Sequence, residues 1–203
     1  MAFADGKILA EIKDGVGRIT FNQPEKRNAM SVAMWDGMGQ ALDVFAADAS
    51  VRCVVLTGAG DKAFVSGADI SQFGIPAAKL GIAYGFDMVK HLVSLVGPAH
   101  AHMILMTGER FDAREAERVG LINKVVPADQ LGAEVSKITA TLAQNAPLSL
   151  FANKRTVQAV LQDRADRDMA AIQADLNACF DSADYKEGRQ AFMEKRKPAF
   201  QGR

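Results

Sequence analysis

With 203 residues, the chain is long enough for one large domain or a domain with an appendage, and 49% hydrophobic with 24% charged residues is an ordinary globular balance. Lysine plus arginine matches aspartate plus glutamate, 24 each, so no net field favours DNA or an acidic membrane. Met1-Ala2-Phe3-Ala4-Asp5-Gly6 lacks the basic and apolar stretches of a signal peptide, and no apolar run approaches the ~20 residues that span a bilayer, so the cytoplasm is the expected setting.

The first half reads as strand and helix in alternation. Apolar and polar residues alternate from Lys7 to Lys13, Asp14-Gly15 makes a turn, and Gly17 to Asn22 resumes the alternation, which is a hairpin signal. A polar loop, Asn22-Gln23-Pro24-Glu25-Lys26-Arg27-Asn28, follows. Ser31 can cap a helix on which Met34, Trp35, Met38, Leu42 and Phe45 fall near helical spacing. The continuous apolar run from Val51 to Thr57 suggests a strand buried on both faces of a parallel sheet, and its order after the hairpin and helix implies a right-handed crossover.

The second half is nearly all helix. Ala113 to Val119 is a short helix that Gly120 can stop, and Leu121 to Val126 reads as a short strand ended by Pro127. Further helices are predicted over Leu131 to Gln144, Leu148 to Leu161, Arg164 to Phe180 and Tyr185 to Lys195. Cys53 and Cys179 lie far apart in apolar contexts and are expected to be reduced, buried thiols. His91, His100 and His102 form no metal-ligand set, and no glycine-rich phosphate loop is present, so neither a metal nor a separate cofactor is expected.

Four stretches, in order along the chain, resemble the enoyl-CoA hydratase/isomerase (crotonase) family. Asn22 through Met30 looks like the loop such enzymes place over CoA, and Lys62-Ala63-Phe64-Val65-Ser66-Gly67-Ala68-Asp69-Ile70 looks like the oxyanion-hole loop. Thr107 through Asn123 resembles the segment leading to the C-terminal helices, and Ser182 through Pro198 resembles the tail. The resemblance implies an α/β fold, a spiral of ββα units over residues 1–127, with a helical region over 128–203 that builds a homotrimer or hexamer. It implies an acyl-CoA substrate, so CoA arrives as part of the reactant. Lys26, Arg27, Ala29, Ala63, Gly67, Asp69, Ile70, Pro76 and Ala77 would then line the ligand.

Activating a thioester puts negative charge on its carbonyl oxygen, and a catalyst needs fixed donors aimed there. Gly67-Ala68 followed by Asp69-Ile70-Ser71 reads as a turn into a helix, which points the Ala68 N–H at an anion. The resemblance makes that N–H one of two oxyanion donors.

The chain departs from the family pattern twice. Ser71-Gln72-Phe73 runs straight into Gly74-Ile75-Pro76, although the family places a helix, a buried strand and a triple-glycine turn with the second oxyanion N–H between such segments. Either those residues are deleted, which would remove a central strand and half the anion hole, or residues 73 and 74 are not directly bonded; the second is the expectation here, and an ordinary ~3.8 Å Cα spacing would defeat it. In addition, Ala77 follows the proline where family hydratases usually have a glutamate. An alanine relays no proton, so two-glutamate hydration is in question and Asp87 becomes the substitute acid/base, its alternative role being a helix N-cap. The expected function is an enzyme on enoyl-CoA or a related acyl-CoA, with a catalytically inactive acyl-CoA-binding or assembly subunit as the rival; a nucleic-acid role conflicts with the zero net charge.

Overall fold

The computed structural model describes residues 1–65 and 73–203. A short first strand that sequence reading missed, β1 (Ala2–Phe3), pairs antiparallel with β2 (Ile8–Lys13), which pairs antiparallel with β3 (Val16–Phe21). The hairpin forms as expected: Lys13 faces Val16 across Asp14 (φ 51) and Gly15 (φ 77), both left-handed as a two-residue turn of this kind demands. Helix α1 (Val32–Ala47) starts where Ser31 accepts the Met34 N–H at 3.3 Å. Its buried Met34, Gly37, Ala41 and Phe45 recur at helical spacing and pack on Ile8, Ala10, Ile19 and Phe21 of the sheet, forming the main core. Gly17 is required in β3, because a Cβ there would sit 2.6 Å from the Phe45 ring.

Strand β4 (Cys53–Gly58) runs parallel to β3 and ends the sheet order β1-β2-β3-β4. The expectation of a strand covered on both faces is therefore corrected. Val54 is 42% exposed and Leu56 45% exposed, because α1 lies over the first three strands and no described strand follows β4. Phe73 and Gly74 are consecutive in the 203-residue sequence.

After that junction, Phe73 exchanges backbone hydrogen bonds with Phe111 at 2.7 and 2.8 Å, and their rings stack at 6.0 Å. A 3-10 turn over Pro76–Leu80 precedes α2 (Phe86–Thr107), which breaks at Gly97 (φ 73), immediately before Pro98. Helix α3 (Ala113–Arg118) is capped by Asp112, whose side chain accepts the Glu115 N–H at 2.9 Å. Val96, Ala101, Ile104 and Val119 make a second core that shares no residue with the first. Residues 121–126 form no strand: the N–H groups of Leu121 and Ile122 both turn back to Ala116 O.

Helices α4 (Leu131–Gln144), α5 (Pro147–Leu161), α6 (Met169–Asp181) and α7 (Ala183–Glu194) follow. The single helix predicted from Arg164 is split, since Asp168 caps α6 by accepting the Ala171 N–H and a separate 3-10 turn holds Arg164–Asp166. Helix α4 packs on the sheet face opposite α1, with Thr139 and Ala143 beside Val16 and Arg18. Cys53 and Cys179 are free thiols as expected, but half-buried rather than buried; partial burial pushes the Cys53 thiol up. Among the described residues no helix is long and apolar enough to cross a membrane.

Candidate functional site

Parallel strands β3 and β4 end side by side, with Phe21 opposite Gly58, so the loops that follow them emerge at one carboxyl edge of the sheet. In open α/β sheets that edge is where ligands bind. The first loop carries Lys26 at the end of a 3-10 turn and Arg27 at φ 50, both exposed, then Asn28 at φ 57 and half-buried Ala29.

Asn28 is the fully buried centre of this region. Its Nδ2 donates to Ala59 O at 2.9 Å and Ala63 O at 2.8 Å, while its Oδ1 accepts the Gln23 N–H at 2.9 Å. One side chain thus clamps the loop after β3 to the loop after β4. Gly58 allows the approach, because a Cβ there would lie 2.4 Å from Phe64 O and 2.8 Å from Asn28 Nδ2. Sequence reading quoted Asn28 only as part of a polar loop and missed its role. The available signal was asparagine's tolerance of left-handed backbone beside residues of opposite polarity.

The clamp brings Lys26, Arg27 and Ala29 together with buried Ala63. Gly67, Ala68, Asp69 and Ile70 lie outside the described residues. Pro76 and Ala77 sit elsewhere in the contact pattern, on the 3-10 turn that packs against the end of α2: a Cβ on Gly108 would meet Pro76 Cα at 3.4 Å. Ala77 is buried, so this position offers no titratable group. Asp87 is exposed in the first turn of α2, and the N-cap is Gly85, which corrects the capping alternative. Asp87 makes no hydrogen bond or ion pair among the described residues.

Two sizeable cavities lie away from these residues. One of about 890 Å³ separates α4 from β2 and β3, and one of about 510 Å³ lies among α5, α6 and α7. His100 bonds Val96 O through Nδ1 at 3.1 Å, and among the described residues no group of His, Cys, Asp and Glu is placed to hold a metal ion.

Comparison with known proteins completes the picture. A family model described as enoyl-CoA hydratase/isomerase matches residues 11–73 and 68–203, two spans that overlap over residues 68–73. A crotonyl-CoA hydratase of Syntrophomonas wolfei is 29% identical, with 95% of this chain and 97% of that protein covered. A short-chain-enoyl-CoA hydratase of Clostridium acetobutylicum is 27% identical at 94% and 95% coverage. The first of these alignments runs over 253 positions although this chain has 203 residues, so dozens of the relative's positions stand opposite no residue here. Among solved structures, an enoyl-CoA hydratase subunit I of Geobacillus kaustophilus HTA426 superposes with a TM-score of 0.81 at 30% identity, covering 97% of this chain and 98% of that one. An enoyl-CoA hydratase of Bacillus anthracis, 23% identical, gives a TM-score of 0.84 over 97% of this chain and all of that one, which speaks to the fold alone.

Proposed function

The chain belongs to the enoyl-CoA hydratase/isomerase family, and on that premise we propose that it binds an acyl-CoA thioester before the carboxyl ends of β3 and β4 and stabilises the enolate formed from it. The observation that carries this reading is the Asn28 clamp, which fixes the cationic Lys26–Arg27 loop beside the chain that leads to Gly67 and Ala68. Exposed Lys26 and Arg27 are free to meet CoA phosphates, and a backbone amide at Ala68 would take the thioester oxygen. Ala29, Ala63, Gly67, Asp69 and Ile70 complete the lining in this proposal.

Buried, apolar Ala77 cannot move a proton, so a single carboxylate carries the acid/base step, and that carboxylate is Asp87. This favours double-bond isomerisation or a related enolate reaction over two-carboxylate hydration. No separate cofactor is invoked. Assembly as a homotrimer or hexamer in the cytoplasm belongs to the same reading; exposed Phe151, Val157, Phe180, Phe192 and Met193 on the C-terminal helices support subunit contacts.

The test uses purified full-length chain with crotonyl-CoA and with a 3-enoyl-CoA. A rise in conjugated-thioester absorbance from the 3-enoyl substrate supports isomerisation, and a fall from crotonyl-CoA supports hydration. Calorimetric binding of both thioesters without turnover would make the chain a non-catalytic acyl-CoA binder. No binding at all overturns the proposal.

A further inference from the structure

The cavity of about 510 Å³ among α5, α6 and α7 takes no part in the thioester site. Its place follows from the tail of the chain. A Cβ on Gly202 would meet Pro147 Cγ at 3.3 Å and Arg52 Nη1 at 3.5 Å, and Arg52 stands immediately before β4. Ala146 and Leu148, on either side of Pro147, line the cavity together with Phe200 of the tail. It therefore lies toward the amino end of β4, and ~17 Å of strand separates that end from the carboxyl edge.

The lining divides by chemistry. Leu148, Leu176, Phe180, Phe192 and Phe200 supply apolar surface. Its buried polar side chains are satisfied within the protein: Ser182 Oγ donates to Cys179 O and accepts the Tyr185 N–H, and the two oxygens of Asp184 accept the N–H groups of Gln201 and Gly202. Arg189 differs. Its guanidinium lies 5.8 Å from the Tyr185 ring centroid, and that ring packs edge-on against Phe180 at 5.4 Å, so the cation is held against the cavity wall. The other α7 carboxylates, Glu187 and Glu194, are committed to Arg196, and Arg189 makes no ion pair among the described residues. Lys186, which shares an adjoining recess with Arg189 and Phe192, makes none among them either.

We propose that this cavity binds a single-chain fatty carboxylate, its hydrocarbon among Leu148, Leu176, Phe180 and Phe200 and its head on Arg189. The volume falls within the ~300–1,000 Å³ of small-ligand sites, which are mostly apolar with a few placed polar groups. A guanidinium offers a planar fork that a carboxylate meets with both oxygens, and Lys186 adds a second positive charge on the same side. A neutral apolar ligand would leave that cation unanswered. A thioester carries no charge at the carbonyl end of its acyl chain, so the head group separates the free acid from the substrate proposed above. The inference concerns a different place in the fold and stands apart from that chemistry.

The test is calorimetric titration of the full-length chain with octanoate, decanoate and dodecanoate, each below its micelle concentration. One ligand should bind per chain, with Kd falling roughly ten-fold for each two methylenes added. Decanol, which has the decanoate tail and a neutral head, should bind more weakly. Arg189→Gln, a change at an exposed position, should weaken decanoate by about ten-fold or more and leave decanol unaltered, while Arg189→Lys should recover much of the loss. Saturation with crotonyl-CoA should leave the decanoate Kd unchanged. Were crotonyl-CoA not to bind at all, the thioester reading would fail, and the decanoate titration would still decide this one. Competition between the two ligands, uptake without a fixed stoichiometry, or equal weakening of decanoate and decanol by Arg189→Gln overturns the inference. So does a wild-type protein that takes up no decanoate, as expected if a second copy of the chain covers Phe180 and Phe192.

Discussion

At the scale of single residues, Asn28 shows how a polar side chain can organise a region while fully removed from water. Both Nδ2 protons go to carbonyls, and Oδ1 accepts a backbone N–H. Truncation to alanine strands those buried carbonyls, a loss of roughly 1–3 kcal/mol in urea unfolding. Asn28→Asp should cost more, since it turns a carboxylate oxygen toward Ala59 O and Ala63 O. Asn28→Gly, which keeps the left-handed backbone, should equal or undercut the alanine cost. The clamp was illegible in sequence because its partners lie 31 and 35 residues away. Lys26 and Arg27 were legible as exposed loop cations, since nothing about their surroundings depends on a distant segment. Asp87 is tested at this scale too: Asp87→Asn should lower turnover of the accepted enoyl-CoA by about 100-fold while leaving the calorimetric Kd within a small factor.

At the scale of elements, α7 and the chain that follows it are tied by carboxylates. Arg196 grips Glu187 through Nη1 at 2.6 Å and Nη2 at 2.9 Å, Ala199 N–H donates to the same carboxylate, and buried Asp184 accepts the N–H groups of Gln201 and Gly202. The Arg196 hydrogen bond, then that from Ala199, pulls the Glu187 carboxyl from 4.5 down to about 2. Because the folded value lies below the ordinary one, this tether is fully present above pH 4.5 and is lost as pH falls toward 2. A carboxyl-carbon NMR titration should place the Glu187 midpoint near that low value, and Arg196→Ala should return it to the usual carboxylate range. Helix α4 was readable to the residue because its apolar spacing is uninterrupted, whereas α2 was read only as a helix start at Asp87, its periodicity broken at Gly97-Pro98. The false strand at 121–126 shows that β-branched residues need a neighbour to pair with, and none of the described residues supplies one.

At the scale of the whole molecule, the order of family segments was legible because each keeps its local glycines, caps and turns. What one chain of residues cannot display is whether a strand has a second neighbour. The run from Val51 to Thr57 reads identically at the centre of a sheet and at its margin, so the exposure of Val54 and Leu56 emerged only with the fold. The two cores share no residue, and the salt bridge from Lys90 to Asp163 at 2.9 Å ties α2 to the chain that precedes α6. Exposed Leu80, Ile82, Phe86 and Met88 near the junction are apolar residues of the kind a further layer would bury.

The parallel pairing of β3 with β4 also dictates an order of assembly. The β2–β3 hairpin closes over two residues, an event of about 1–10 μs, while β4 reaches its partner only after all of α1 has been traversed. Paired with β3 along one border and with no further strand beside it among the described residues, β4 is the last sheet member to dock and the first to fray. Amide protons of Val55 and Thr57, which the β3–β4 register turns toward β3, should accordingly exchange with deuterium sooner than those of Ala10 and Ile19.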